Sequence, residues 1–360
     1  VMLPLKLFEH YGDLRILEHS YNNMKKYVDF LLRTTQYAPE GFDYLINWPN
    51  MLGDWLEVGS GGSATRTPRI LTTSLSFYNC SKIMANAANM LGKPEDARQY
   101  DKIANRIKNA FNDEFLDENS GLYWEDSQSA QAMALVLGIV PEGLEKRVFN
   151  QLVKNVVDAR NMHLSTGIVG TYFLFKALAQ YGRPDIAFKV ITASGYPGFE
   201  HILTRVTEKT PVPSYTIWED WGGVSSLSHP VQGCVVSFFY EYLAGIRPKI
   251  SHPGFKEFTI GPAFLKEVNW VKATLNTNYG EILVEWKIME QKDALELAIL
   301  IPGNSKAELI IPCDVSTTMM INGEPLNTQQ NIEAKKQKKK KKLALGSGKY
   351  IITMKNPKRI

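Results

Sequence analysis

The sequence predicts an all-α assembly followed by an antiparallel β-sandwich. Three observations predict it. The chain has 360 residues, more than one ordinary core accommodates, so two domains are expected. Up to about residue 243 the apolar residues recur at helical spacing. From Gly245-Ile246-Arg247-Pro248 onward the texture changes to short alternating or β-branched runs cut by Gly, Pro and Asn. The domain boundary is therefore set near residue 247, giving a helical domain over 1–247 and a sandwich over 248–360.

The helices follow in order. Residues 14–32 carry Leu14, Leu17, Tyr21, Met24, Val28 and Leu31 on one face. A second helix, over 71–91, is rich in Ala, Leu and Met and stops at Gly92-Lys93-Pro94. Pro94 opens the next, because its missing N–H and fixed φ suit a first turn. Helices over 128–137, 143–158, 167–180, 185–192 and 231–243 follow, separated by short turns. Short links imply antiparallel neighbours. No repeat of fixed length is visible, which argues against a regular solenoid. Strands are expected over 255–260, 270–276, 280–290, 294–301, 307–311, 317–321 and 350–354. The opening "VMLPLKLFEHYG" reads as the inside of a helix, as though the segment were cut from a longer protein.

Composition narrows the function classes. Apolar residues make up 44% and charged residues 22%, ordinary values for a globular protein. The net charge of +4 comes from one run, residues 335–342, with seven lysines around Gln337; without it acidic residues outnumber basic ones. The charge balance therefore gives no case for nucleic acid, and the run reads as a solvated loop. Cys80, Cys234 and Cys313 make no CxxC pair or disulfide framework. No stretch of about 18 apolar residues suits a membrane span. Metal-ligand spacings, a phosphate loop and a dinucleotide fingerprint are all missing from the sequence, so no metal or cofactor is predicted. Residues 59–63, Gly-Ser-Gly-Gly-Ser, read as a flexible loop at a pocket lip.

The chemistry concentrates in "TIWEDWGG". Trp218 and Trp221 flank Glu219 and Asp220, two glycines follow, and His229 comes ten residues after Glu219. Indoles stack on sugar faces, and a carboxylate among rings loses hydration, which raises its proton affinity towards that of a useful base. Two tryptophans three apart in a strand do not both face one core easily, so at least one is expected in a pocket. Asp220 reads as a loop acid. His229 precedes Pro230 and opens a helix. His163 begins "HLSTG" and either donates to a sugar hydroxyl or fixes the turn. Trp124, in "GLYWED", and Trp48 are candidate rim residues, since loops at the ends of helices collect function.

Several stretches in order carry a resemblance: "LFEHYGDLRILEHSYNNMKKYVDFL", "GDWLEVG", "SAQAMALVLGIVP", "HLSTGIVGTYFL", "TIWEDWGG" and "SLSHPVQGCVVSFFYEYLAGIRP". Over most of residues 3–248 the chain resembles the α-L-rhamnosidases of glycoside hydrolase family 78. The resemblance implies an (α/α)6 toroid, here lacking its first helices, and a C-terminal sandwich. It implies inverting hydrolysis of a terminal α-L-rhamnosyl bond on a rhamnose-containing carbohydrate. In such a reaction an acid protonates the leaving oxygen while a base activates water, roughly 6.5–9.5 Å away across the sugar. Glu219 matches the family's general base. His229 matches a sugar-contacting histidine, and Asp54 and Trp55, in "GDWL", match a pocket-lining segment. The family's general acid lies in a motif upstream of "LFEHYG", so neither Asp54 nor Glu57 is assigned that role. Two rival readings are a non-catalytic carbohydrate-binding remnant and a toroid hydrolase for another sugar, such as a glucuronyl or fucosyl unit.

Overall fold

The computed structural model describes residues 1–360 except 39, 49–50, 61–65, 207–212, 214–215, 290–293, 314–315, 327–333 and 338–339. The chain packs as two units. One comprises Val1–Met2 with His19–Val235, and the other comprises Leu3–Glu18 with Val236–Ile360.

The first unit is helical. After α1 (Met2–Tyr11), which is part of the second unit, come α2 (Arg15–Thr34), α3 (Arg69–Met90) and α4 (Pro94–Phe115). A short hairpin of β1 (Leu116–Asp117) and β2 (Leu122–Tyr123) leads to α5 (Gln128–Leu137), and α6 (Glu145–Lys154), α7 (Ile168–Gln180), α8 (Pro184–Ile191) and α9 (Phe199–Thr204) follow. The helices alternate in character. In α5 every residue from Gln128 to Leu135 is buried, and α3 buries residues all round from Leu71 to Ala88. Helices apolar on every side belong inside. By contrast α4 buries one stripe, with Ala97, Tyr100, Ala104, Ile107 and Phe111 at helical spacing, and α6 buries only Val148, Phe149 and Leu152. Thus α3, α5 and α7 form an inner layer, and α4, α6 and α8 pack outside them as antiparallel partners.

Local chemistry sets the ends. Ser127 caps α5 by accepting from the Ala130 N–H at 3.2 Å, and Gly138 closes it at φ 70°. Pro94 and Pro184 open α4 and α8. Two differences from expectation stand out. The helix expected over 143–158 ends in a π-turn, Asn155–Ala159. The helix expected over 231–243 is divided into a 3-10 turn (Pro230–Cys234), one α-turn (Val235–Phe238) and a π-turn (Phe239–Leu243). Gly233 weakens helix continuity at the first of these junctions.

The second unit holds a sandwich built from β3 (Ile246–Pro248), β4 (Glu257–Ile260), β5 (Trp270–Thr277), β6 (Gly280–Met289), β7 (Ala294–Ile301), β8 (Lys306–Pro312), β9 (Thr318–Ile321), β10 (Glu324–Pro325), β11 (Ala334–Gln337), β12 (Lys340–Leu345) and β13 (Gly348–Lys355). One sheet has the order β10-β9-β13-β7-β6-β5 and the other β11-β12-β8-β4-β3. Alternate residues of both sheets, including Phe258, Val284, Leu297, Leu309, Leu343 and Ile352, fill the core. Trp286 is fully buried there, and its indole N–H donates to the Leu243 carbonyl at 2.9 Å. The first helix belongs to this unit: Leu5 and Phe8 are buried, and the Gly254 N–H donates to the Glu9 carbonyl at 2.9 Å.

The expectation of an antiparallel sandwich holds with one exception, the parallel pair β4 and β8, with Phe258 opposite Ala307. The long excursion through β5, β6 and β7 in the other sheet makes that parallel return possible. The described part of the lysine run is strand rather than the expected loop. Lys335, Lys336 and Gln337 lie on β11, and Lys340, Lys341 and Lys342 lie on β12; Lys338 and Lys339 fall outside the described residues. Among the described residues no helix is long and apolar enough to cross a membrane.

Candidate active site

The inner helices α3, α5 and α7 begin at one place, held by the acids of "GDWLE". The Asp54 side chain is fully buried. One of its carboxylate oxygens accepts from the Val169 and Gly170 N–H groups at 3.0 and 2.9 Å. The other accepts from the Gly167 N–H at 2.8 Å and from the Ser129 hydroxyl. The carboxylate therefore sits on the N-terminus of α7, where free N–H groups and the helix dipole favour an anion. Burial pushes the Asp54 carboxyl up, while its four donors pull it down. Glu57 does the same work one turn away. It accepts from the Arg66 and Thr67 N–H groups at 3.0 and 3.1 Å, just before α3, and from the Thr67 hydroxyl at 3.2 Å. The Thr67 hydroxyl in turn meets that of Ser127, the α5 cap. Burial also raises the Glu57 carboxyl, and nearby Asp54 adds to the shift.

This clamp orients Trp55, whose carbonyl accepts from the Ile168 N–H at 2.9 Å. The approach is so close that only glycine fits at the N-cap of α7 and in its first turn. A Cβ at Gly167 would lie 2.3 Å from the Trp55 carbonyl oxygen, and one at Gly170 would lie 2.1 Å from the Ser129 hydroxyl.

The "TIWEDWGG" segment forms a closed loop. The His229 N–H donates to the Ile217 carbonyl at 2.8 Å, and the Glu219 N–H donates to the Ser226 carbonyl at 2.9 Å. Residues 217–219 thus run beside 226–229, which brings Glu219 and His229 onto one pair of facing segments. Asp220 folds the tip, accepting from the Gly222 and Ser225 N–H groups at 2.8 and 2.7 Å. Glu219 is partly exposed, and its carboxylate accepts from the Ser226 N–H at 3.2 Å. The Gln232 amide reaches the Glu219 carbonyl at 3.5 Å. His229 Nδ1 accepts from the Val231 N–H at 3.2 Å. In the neutral ring that bond leaves the proton on Nε2, which becomes a hydrogen-bond donor.

Trp218 and Trp221 are both buried, at 0% and 2% exposure. The spacing argument assumed a strand, in which two indoles so placed do not both face one core. The segment is a tight loop rather than a strand, so the two-residue alternation does not apply. Trp221 packs edge-on against Phe199 of α9 at 5.1 Å. Its indole N–H is buried with no hydrogen-bond partner among the described residues.

The remaining candidates divide. Trp124 is exposed, at the end of the β1–β2 hairpin, with φ at 61° and its ring edge-on to Phe115 at 6.4 Å. A left-handed tryptophan is uncommon and costs backbone strain. Both His163 ring nitrogens stand near carbonyl oxygens, Asn161 at 2.8 Å and Ser194 at 3.0 Å, so whichever carries the proton fixes the turn. Trp48 packs edge-on against Tyr37 at 5.4 Å. Gly61, Gly62 and Ser63 of the expected pocket lip lie outside the described residues. Sequence reasoning missed Thr67, Ser127, Ser129 and Gln232, and gave Glu57 no role. The Ser127–Ser129 pair before an apolar helix was the one available signal, since serine favours the N-cap.

Residues 1–243 match the family model of the bacterial alpha-L-rhamnosidase 6 hairpin glycosidase domain. The chain belongs to this family. Residues 245–324 match the bacterial alpha-L-rhamnosidase C-terminal domain. A curated alpha-L-rhamnosidase of Formosa agariphila is 29% identical over 357 residues, covering 97% of this chain and 36% of that protein. Another, from Alteromonas sp. (strain LOR), is 26% identical and covers 92% and 36%. The solved alpha-L-rhamnosidase from Dictyoglumus thermophilum superposes with a TM-score of 0.85 at 28% identity, covering 98% of this chain and 39% of that one. The Streptomyces avermitilis alpha-L-rhamnosidase, solved with L-rhamnose, gives 0.82 at 26%, covering 98% and 32%. The chain thus spans about a third of the length of these rhamnosidases. The likeness establishes the six-hairpin toroid followed by the sandwich.

Proposed function

We propose that this chain supplies the base side of an inverting α-L-rhamnosidase site, with Glu219 as general base. Residues 1–247 form its toroid and 248–360 its sandwich. The observation that carries the reading is the closed loop of 217–229. It holds Glu219 and His229 on facing segments, with the Glu219 carboxylate on the Ser226 N–H, and among the described residues His229 Nε2 meets no partner. In the reaction Glu219 takes a proton from water as that oxygen forms its bond to the anomeric carbon, and the aglycone oxygen leaves with a proton from an acid on the other face. Asp54 is not that acid, because its carboxylate is enclosed by four donors. Glu57 is likewise engaged before α3. In this reading the proton donor belongs to the part of a rhamnosidase that the chain does not span.

His229 and Trp124 contact the sugar, while Trp55, Trp218 and Trp221 shape the pocket wall. Asp54 and His163 hold the loops that carry them. Rhamnose, a 6-deoxy sugar, offers its methyl and C–H face to an indole. The test is Glu219→Gln in the complete enzyme, assayed on an aryl α-L-rhamnoside. General-base loss lowers kcat by roughly 10²–10⁴-fold, and a loss under about tenfold removes Glu219 from the role. Rhamnose binding without turnover in both wild type and variant would favour a binding module instead. Turnover of an aryl fucoside or glucuronide in preference would change the sugar.

A further inference from the structure

The loop of 217–229 is tied to α9 at its tip. The Arg205 guanidinium, just past the last turn of α9, donates to the Gly222 carbonyl at 2.7 Å. One turn back, His201 Nε2 stands 3.4 Å from the same guanidinium nitrogen, since residues four apart share a helix face. Burial, and then the Arg205 charge, push the His201 imidazole below its ordinary value, against a smaller pull from Glu200. The neutral ring therefore accepts from Arg205 instead of repelling it. The Tyr196 ring meets the imidazole edge-on at 5.3 Å. A second contact joins the same helix to the residue before Gly222, the edge-on pair of Phe199 and Trp221 at 5.1 Å.

Glu219 depends on such a tie. Among the described residues one donor meets its partly exposed carboxylate, the Ser226 N–H at 3.2 Å. A single long bond leaves a carboxylate free to swing, so its place is set by the backbone that carries it. That backbone is closed at its base by the bond from His229 to Ile217. At the tip the Gly222 N–H donates to Asp220 at 2.8 Å, inside the loop, while the Gly222 carbonyl faces Arg205. One residue thus links the internal fold of the loop to α9.

We infer that Arg205 is a positioning residue for the general base: by holding the Gly222 carbonyl it fixes the tip of the loop, and through the loop the place of the Glu219 carboxylate. The inference rests on the assignment of the base to Glu219. No proton passes through the guanidinium. Its part is to keep the base where the attacking water stands, and a misplacement of about 1 Å costs on the order of 10²-fold in rate. The planar fork of an arginine suits the task, because it presents several fixed donors to the carbonyl and the imidazole together.

The test is a double-mutant cycle in the complete enzyme on an aryl α-L-rhamnoside, with the melting temperature of each variant read alongside. Arg205→Met keeps the apolar stem and removes the donors. It should lower kcat by roughly 10- to 10²-fold. KM should change by less than about threefold, the pattern of an interaction that counts in the transition state alone. Arg205→Lys restores an N–H donor and should recover most of the loss. On a Glu219→Gln background Arg205→Met should cost less than about a further twofold, because residues that act as a unit are not additive. A full Arg205→Met loss on that background overturns the inference and leaves the base assignment standing, as does a rise in KM with kcat unchanged. A Glu219→Gln loss under about tenfold removes the base itself, whatever Arg205 does. Should Arg205→Met melt early, Arg205→Gln, too short to reach the carbonyl, carries the same cycle, and an unchanged kcat there overturns the inference.

Discussion

A carboxylate that accepts four hydrogen bonds has no lone pair left for a sugar. Asp54 is such a group, and its replacement tests whether its work is structural. Asp54→Asn should cost about 3 kcal/mol in denaturant unfolding, because an amide presents N–H to backbone donors already aimed at it. Asp54 and Glu57 also bear on pH dependence. Burial raises both carboxyls above their ordinary values, so the folded protein holds protons that the unfolded chain has released. Their contribution is complete below about pH 4 and declines as pH rises through their native values. Unfolding midpoints from about pH 4 to about pH 7 should therefore fall less in an Asp54→Asn/Glu57→Gln double variant than in wild type. Trp124 offers the opposite experiment. Trp124→Gly should leave the melting temperature unchanged or raise it, since relief of the left-handed backbone is worth about 1 kcal/mol. KM for a rhamnoside should rise, because the exposed ring is lost.

The loop of 217–229 behaves as one element. Gly223 has φ at 70°, and a Cβ there would lie 2.6 Å from the Trp218 ring. Gly223→Ala should therefore destabilise the loop by about 1–3 kcal/mol and lower kcat with it, as steady-state kinetics would show. Helices with strong punctuation were legible in the sequence. Pro94 placed the start of α4 and Gly92 the end of α3, since each residue has one physical reason to stand there. The loop was legible only as chemistry. Its geometry depends on backbone bonds such as His229 to Ile217, twelve residues apart, which no periodicity records. The buried state of both indoles was missed for the same reason. The hairpin of β11 and β12 was hidden because composition marks seven lysines as solvated, whereas pairing with β8 overrides that preference.

At the scale of the molecule, the second unit is assembled from two distant parts of the chain, Leu3–Glu18 and Val236–Ile360. The contacts are specific. Asn278 donates to the Tyr11 carbonyl at 2.8 Å, and His10 packs edge-on against Phe255 at 5.7 Å. Deleting residues 3–11 should lower the melting temperature of the sandwich, read from the near-ultraviolet signal of the buried Trp286, although no strand is removed. The arrangement also sets a schedule for biosynthesis. Leu5 and Phe8 leave the ribosome more than two hundred residues before the rest of their unit. Until then they stay uncovered on the nascent polypeptide, and translation at some 5–20 residues per second makes that wait tens of seconds. A chaperone that guards exposed apolar helices has a client in this helix, and slowing translation should lengthen its occupancy there.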